Sequence, residues 1–357
     1  MELRDLSEHV PYRAGRGIEE VARDLGLDPD ELVKLSSNEN PFGPSPLAVE
    51  AVQAAAESVH TYPKAAHADL VAALAEMWDV TTEQIWLSPG GDGVLDYLGR
   101  AVLDPGDRVL VPEPGFAYYA MSTRYQDGVV DTYHLSKDEG FEQTPEAVLD
   151  AYEDHRIIYL TTPHNPTGSE MAYEDIETVA RETSEETLVL VDEAYAEFTD
   201  ARPARDLVEE RDDVALLRTF SKVYGLAGLR LGYGLVPDEW ADAYDRVNTP
   251  FAVNLPACRA GLAALDDDEH VEKTVETARW AREYIYNNLD APTWESGGNF
   301  VLAGVGDAER VAADAQKEGI IIRDCSSFGL PECIRITCGT RETTPEAVDT
   351  LNEVIDR

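Results

Sequence analysis

Leu188-Val189-Leu190-Val191 runs without a polar side chain straight into Asp192-Glu193-Ala194-Tyr195. Four successive apolar residues leave no face for water, so the segment reads as a strand covered on both sides, as in a parallel sheet. An acid at the end of such a strand is costly to bury unless it is paired. Asp192 therefore either caps the following turn or faces a cationic ligand atom, such as a pyridinium nitrogen.

Outward from this stretch the pattern repeats. Ile85-Trp86-Leu87-Ser88, Arg108-Val109-Leu110-Val111, Ile157-Ile158-Tyr159-Leu160 and Val214–Leu217 are further short apolar runs with helical stretches between most of them. Residues 46–59 and 66–78 read as amphipathic helices. Strands alternating with helices predict an α/β fold with a mostly parallel central sheet and helices on both faces. Right-handed crossovers then gather the post-strand loops along one edge, where ligands bind. After about residue 250 the texture changes. Helices near 268–289 and 308–318, strands at Asn299–Ala303, Ile320–Ile322 and Cys333–Thr337, and a C-terminal helix predict a smaller α+β domain. The expected organisation is an arm over 1–37, packed on the small domain or a partner subunit, a large domain over 38–248 and a small domain over 249–357.

Four of the post-strand loops carry chemistry. Gly90-Gly91-Asp92-Gly93 precedes a helix; it is either a tight turn capped by Asp92 or a glycine loop that lets an anion reach free N–H groups. Thr161-Thr162-Pro163-His164-Asn165-Pro166-Thr167-Gly168 holds Asn165 between two prolines, which aim its amide; His164 reads as a surface or packing residue. The third loop is the one after Val191. The fourth is Thr219-Phe220-Ser221-Lys222-Val223-Tyr224-Gly225-Leu226-Ala227-Gly228-Leu229-Arg230-Leu231-Gly232-Tyr233. A Lys among small and apolar residues is suited to act as an amine nucleophile. Thr219, Ser221 and Arg230 add the hydroxyls and the forked cation that suit a phosphate.

The chain has 357 residues, with 29 Lys+Arg against 70 Asp+Glu and a net charge of −41. Such a surface excludes a nucleic-acid binder and disfavours anionic lipid. The acids are spread along the chain, and only six of the bases are Lys. This is expected of a protein from a salt-accumulating organism, where salt screens self-repulsion. No calcium-loop pattern occurs, and Asp266-Asp267-Asp268-Glu269 reads as a charged helix start. Cys258, Cys325, Cys333 and Cys338 form neither a disulfide framework nor a zinc pattern, so no metal is expected. The opening Met1-Glu2-Leu3-Arg4-Asp5-Leu6-Ser7-Glu8 lacks the basic start and apolar centre of a signal peptide, and no run is long enough to span a membrane. A cytoplasmic location is expected.

The Lys222 stretch resembles the Schiff-base segment of the fold-type-I aminotransferases, which use pyridoxal 5'-phosphate; Asn165-Pro166-Thr167-Gly168 and Val191-Asp192-Glu193-Ala194-Tyr195 agree in order and spacing. Within that class the chain looks most like the histidinol-phosphate aminotransferase family. Leu35-Ser36-Ser37-Asn38-Glu39-Asn40-Pro41-Phe42-Gly43-Pro44, Tyr62-Pro63, Pro11-Tyr12 with Gly15, and Ile334-Arg335-Ile336-Thr337-Cys338-Gly339-Thr340 carry that likeness. Two positions depart from the family: Gly90-Gly91-Asp92-Gly93 stands for Gly-Ser-Asp-Glu, and Phe116 for a ring-stacking Tyr.

The resemblance implies roles. Lys222 holds the cofactor and moves the proton in catalysis. Asp192 keeps the pyridine nitrogen protonated, and Asn165 and Tyr195 bond the ring's phenolic oxygen. Gly91, Asp92, Thr219, Ser221 and Arg230 hold the phosphate, and Phe116 stacks on the ring. Tyr62 reaches the neighbouring subunit's cofactor in a homodimer with shared sites. Tyr12, Asn40, Arg323 and Arg335 belong to the substrate. The implied substrates are glutamate and imidazole acetol phosphate, in histidine biosynthesis; a threonine-phosphate decarboxylase or an aromatic aminotransferase on the same scaffold stays open.

Overall fold

The computed structural model describes residues 6, 7, 9–12, 15–26 and 28–357. The reading of the N-terminal octet lies outside the described residues except at Leu6 and Ser7.

Eleven strands are seen among the described residues: β1 Val33–Leu35, β2 Ile85–Ser88, β3 Arg108–Glu113, β4 Val129–His134, β5 Ile157–Thr161, β6 Leu188–Asp192, β7 Val214–Thr219, β8 Gly232–Leu235, β9 Phe300–Gly304, β10 Ile320–Asp324 and β11 Cys333–Thr337. Seven form one sheet in the order β2-β8-β7-β6-β5-β3-β4. All its neighbours pair in parallel except β8, which runs antiparallel to β2 and β7. The expected α/β sheet is therefore present. Every residue of β2, β5, β6 and β7 is buried, because helices cover both faces and split the core into two clusters.

Three strands escaped the sequence reading: β1, three residues long inside the expected arm, β4 and β8. β4 is an edge strand with exposed residues at both ends, so it carries no continuous apolar signal. β8 lies inside the glycine-rich stretch after Lys222. Its Gly232 is required by a close approach: a Cβ there would stand 2.6 Å from the Gly90 carbonyl carbon. β8 thus packs the end of the lysine loop against the glycine loop that follows β2.

The expected helix over 46–59 is α-helical over Pro46–Ala55 and finishes as a 3-10 turn, Ala56–Ser58. The helix predicted at 66–78 begins earlier, Lys64–Trp78. Asp267 caps the helix Asp268–Asn288 by accepting from the His270 N–H at 3.2 Å, so the acidic run is a helix start.

The second sheet has the order β1-β10-β11-β9. Its core packs against the helices Asp268–Asn288, Ala308–Lys317 and Thr343–Ile355. The arm joins this sheet: β1 pairs in parallel with β10, and Val21, Ala22 and Leu32 bury Ile321. The helix Leu255–Leu265, after the sequence boundary at 248/249, packs on Pro46–Ala55 and Lys64–Trp78 in the large core. Residues 36–40 connect the two sheets and run past the carboxyl ends of β6 and β7.

Candidate active site

A cavity of about 570 Å³ opens where the carboxyl ends of the parallel strands meet the small sheet. β6 ends in Asp192, whose side chain is buried. Tyr119 Oη donates to its Oδ2 at 2.6 Å, and the Ala194 N–H donates to its Oδ1 at 3.0 Å. Neither donor is charged. Burial pushes the Asp192 carboxyl up to about 6, and these two hydrogen bonds offset part of that rise. This carboxylate is suited to a cation placed in the cavity.

β7 leads into Thr219, Ser221 and Lys222, all on the cavity wall. Thr219 Oγ1 lies 3.0 Å from Ser221 Oγ and accepts from the Ser221 N–H at 3.1 Å. Arg230 closes the loop at φ +54° and pairs with Asp92 at 3.0 Å. The helix Gly91–Val102 starts beside them, and its first N–H groups have no partner within the helix. A Cβ at Gly90 (φ +80°) would collide with the Arg230 guanidinium. A Cβ at Gly93 would stand 2.5 Å from Pro89 Cδ, so Gly93 matches a local packing with no room for the Glu seen in the family. Asp92 sits in the first turn and is not the cap; Gly90 is.

The small sheet supplies the other wall. Arg323 and Arg335 are directly opposed on β10 and β11. Arg335 is buried, donates to Asn165 Oδ1, and donates to the Ser36 carbonyl at 3.0 Å; its Nε has no partner. Arg323 donates to Ser327 Oγ at 2.8 Å. Two like charges opposed across a strand pair repel, and an anion between them relieves that repulsion. Tyr12 joins this wall, edge-on to Phe116 with ring centroids 6.1 Å apart.

Of the residues singled out from sequence, Gly91, Asp92, Phe116, Asn165, Asp192, Tyr195, Thr219, Ser221, Lys222, Arg230, Tyr12, Arg323 and Arg335 line the one cavity. Two do not. Asn40 is buried outside the cavity, where its amide donates to the Val223 carbonyl at 2.7 Å and to Thr274 Oγ1 at 3.1 Å, holding the lysine loop from behind. Tyr62 is exposed and stacks on Phe251 at 4.6 Å, away from this chain's own cavity. His164 is a packing residue, as expected: it is fully buried, bonds Thr167 Oγ1 at 2.7 Å, and burial lowers it to about 3.

Sequence reasoning passed over Tyr119 and Asn38. Tyr119 stacks on Tyr159 at 4.6 Å and holds Asp192; Asn38 Nδ2 donates to Tyr195 Oη at 3.0 Å. For Asn38 the available signal was its place in the 35–44 motif. Tyr119 carried none, because its partner is 73 residues away.

The donor set fits pyridoxal 5'-phosphate: a buried carboxylate with no cation bonded to it, a lysine amine, an amide and a phenol, and a hydroxyl–guanidinium cradle at a helix start.

A family model for aminotransferase class I and II matches residues 30–351. The histidinol-phosphate aminotransferase of Haloarcula marismortui is 68% identical over 356 residues, covering 100% of this chain and 99% of that protein. That of Halorubrum lacusprofundi is 66% identical over 355 residues, covering 99% of this chain and 98% of that protein. Among solved structures, the histidinol-phosphate aminotransferase of Sinorhizobium meliloti in complex with pyridoxal-5'-phosphate superposes with a TM-score of 0.87 at 28% identity, over 96% of this chain and 95% of that one.

Proposed function

This chain belongs to the class I and II aminotransferases, and from that membership we propose that it transfers the amino group of glutamate to imidazole acetol phosphate, giving 2-oxoglutarate and histidinol phosphate, with pyridoxal 5'-phosphate as its cofactor. The observation that carries this reading is the opposed Arg323–Arg335 pair on the wall of a cavity that also holds Lys222 and Asp192. Both substrates are anions, and the pair places positive charge beside the amine in a chain whose net charge is −41.

When bound, the cofactor supplies a carbonyl carbon that carries the amino group and an electron-poor ring that takes up the electron pair left at the substrate's α-carbon. Lys222 would hold the cofactor through its amine and, once free of it, would move the proton at the substrate's α-carbon. Asp192 holds positive charge at the ring nitrogen. Asn165 and Tyr195 bond the phenolic oxygen, and Phe116 stacks on the ring. Thr219, Ser221, Arg230 and the N–H groups of Gly91 and Asp92 hold the phosphate. Arg335 binds the glutamate carboxylate; with Arg323 and Tyr12 it binds the phosphate of the second substrate.

The working unit is a homodimer with shared sites, located in the cytoplasm, where its soluble anionic substrates are. Tyr62 supports the dimer: it is three-quarters exposed, braced by Phe251 and outside its own cavity, and it reaches the partner's cofactor. No helix among the described residues is long and apolar enough to cross a membrane.

The test adds histidinol phosphate, with no acceptor, to the holoenzyme in molar salt. The expected result is loss of the cofactor's visible absorption with release of the keto product, recovered on adding 2-oxoglutarate. No change with histidinol phosphate, together with carbon dioxide released from O-phosphothreonine, would replace this reading by the decarboxylase.

A further inference from the structure

Three successive residues after β1 each hold one functional group of the cavity. The Ser36 carbonyl accepts from Arg335 at 3.0 Å, the Ser37 carbonyl accepts from Lys222 Nζ at 3.4 Å, and Asn38 Nδ2 donates to Tyr195 Oη at 3.0 Å. Only the last contact is made by a side chain, so only there does residue identity decide the bond.

Asn38 is held on every side. Its N–H donates to Thr337 Oγ1 at 2.9 Å, its carbonyl accepts from Asn299 Nδ2 at 3.0 Å, and its Oδ1 accepts from Thr337 Oγ1 at 3.2 Å. It is buried, with φ +54°. Glycine satisfies that backbone conformation at lower cost than any side chain. Asparagine is one of the few side chains that tolerate it, and here its amide also bonds Tyr195.

Thr337 settles which way the amide points. Its hydroxyl oxygen already accepts from the Asn38 N–H, so its single proton goes to Oδ1. The NH₂ end therefore faces Tyr195 and donates into the phenol oxygen. Tyr195 also has one proton, and Asn38 cannot take it. That proton is directed elsewhere, and Tyr195 lines the cavity. Accepting a hydrogen bond also strengthens a hydroxyl as a donor.

We propose that Asn38 is a positioning residue that forces the Tyr195 hydroxyl to donate into the cavity, onto the phenolic oxygen of the cofactor. This rests on the cofactor reading above. A donor on that oxygen stabilises its ionised form and so lowers the pH at which the lysine-bound cofactor changes colour. Asn38 thereby helps set the proton inventory of the resting enzyme through Tyr195.

The experiment is a spectrophotometric pH titration of the holoenzyme in molar KCl. It compares the wild type with Asn38→Asp, Asn38→Gly, Tyr195→Phe and the two double variants. Asn38→Asp keeps shape and backbone but can only accept, so it draws the Tyr195 proton away from the cavity; the colour midpoint should rise by about one pH unit, as Tyr195→Phe should raise it. Asn38→Gly suits φ +54° and removes the amide; a rise of about half a unit is expected. In the Tyr195→Phe background neither change at 38 should move the midpoint further, which a general loosening or an added charge would do. The proposal is overturned if Tyr195→Phe moves the midpoint while both changes at 38 leave it in place. It is equally overturned if Asn38→Asp moves it as far without the hydroxyl as with it. If Tyr195→Phe itself has no effect, the reading of Tyr195 as a donor falls and takes the proposal with it.

Discussion

Asp192 and His164 titrate in opposite senses, and their signs give two pH predictions. Burial raises the Asp192 carboxyl to about 6, so the fold without cofactor prefers it protonated. Its contribution to stability is present at low pH and is lost as pH rises from about 4 through 6. His164 is lowered to about 3, so the fold prefers it neutral; its contribution is present above about 6.5 and is lost as pH falls. Between about pH 4 and 6 the two slopes offset, each approaching about 1.4 kcal/mol per unit. Asp192→Asn removes one of them. The variant without cofactor should therefore lose stability on acidification more steeply than the wild type, as read from urea midpoints in molar KCl. Cofactor affinity shows the other side of the same group. Only the carboxylate attracts a protonated ring nitrogen, so wild-type affinity should fall by up to about tenfold per unit as pH drops below about 6. Asp192→Asn should bind weakly and lack that part of the slope. Equal slopes by equilibrium dialysis would remove Asp192 from contact with the ring nitrogen.

The carboxyl ends of β6 and β7 are tied together below the site. Arg218, next to Thr219, donates to Glu193 at 2.8 Å and to Glu197 at 2.7 Å, and lies over Trp78 at 5.1 Å. Glu193, next to Asp192, also accepts from the Ala204 N–H at 2.7 Å. Removing the cation leaves a buried and a half-buried carboxylate facing each other. Arg218→Met should cost about 3–5 kcal/mol, measured by urea denaturation. Glu197→Gln should cost far less, because it removes the surplus negative charge and keeps a hydrogen-bond acceptor. A similar loss from both would mean that packing, not charge pairing, holds these strand ends. This clamp also marks where the sequence stopped being legible. Apart from the glycine-rich β8, the strands that are buried throughout and the loops after them could be read, because burial on both faces writes a continuous apolar run and a parallel sheet has one ligand-binding edge. Asp192, Thr219 and Lys222 stood out at such ends. Arg218 and Glu193 did not, since neither periodicity nor a local motif links positions 25 residues apart. Asn40 shows the same limit: its motif marked it as important, but only the fold shows that its amide faces the back of the lysine loop.

At the scale of the whole molecule, a surface carrying −41 charges works against its own compactness. The ion pairs on that surface are mostly exposed and individually weak, so they do not offset the repulsion. Salt does: the Debye length falls from about 10 Å at 0.1 M to about 3 Å at 1 M, shorter than most spacings between surface acids. The haloarchaeal relatives fit that setting. Stability should therefore climb by several kcal/mol between about 0.1 and 1 M KCl and then level off. Sucrose of equal osmolality, which screens nothing, should not reproduce the climb. A continued rise at the same slope well beyond 1 M, matched by sucrose, would show that exclusion from apolar surface is the cause. The site should respond differently. Arg335 is buried and Arg323 sits beside it on the cavity wall, so the anionic substrate meets them where screening is weak. Between about 1 and 3 M KCl the affinity for histidinol phosphate should change by less than about threefold, whereas binding governed by an exposed cationic patch would fall steadily with salt.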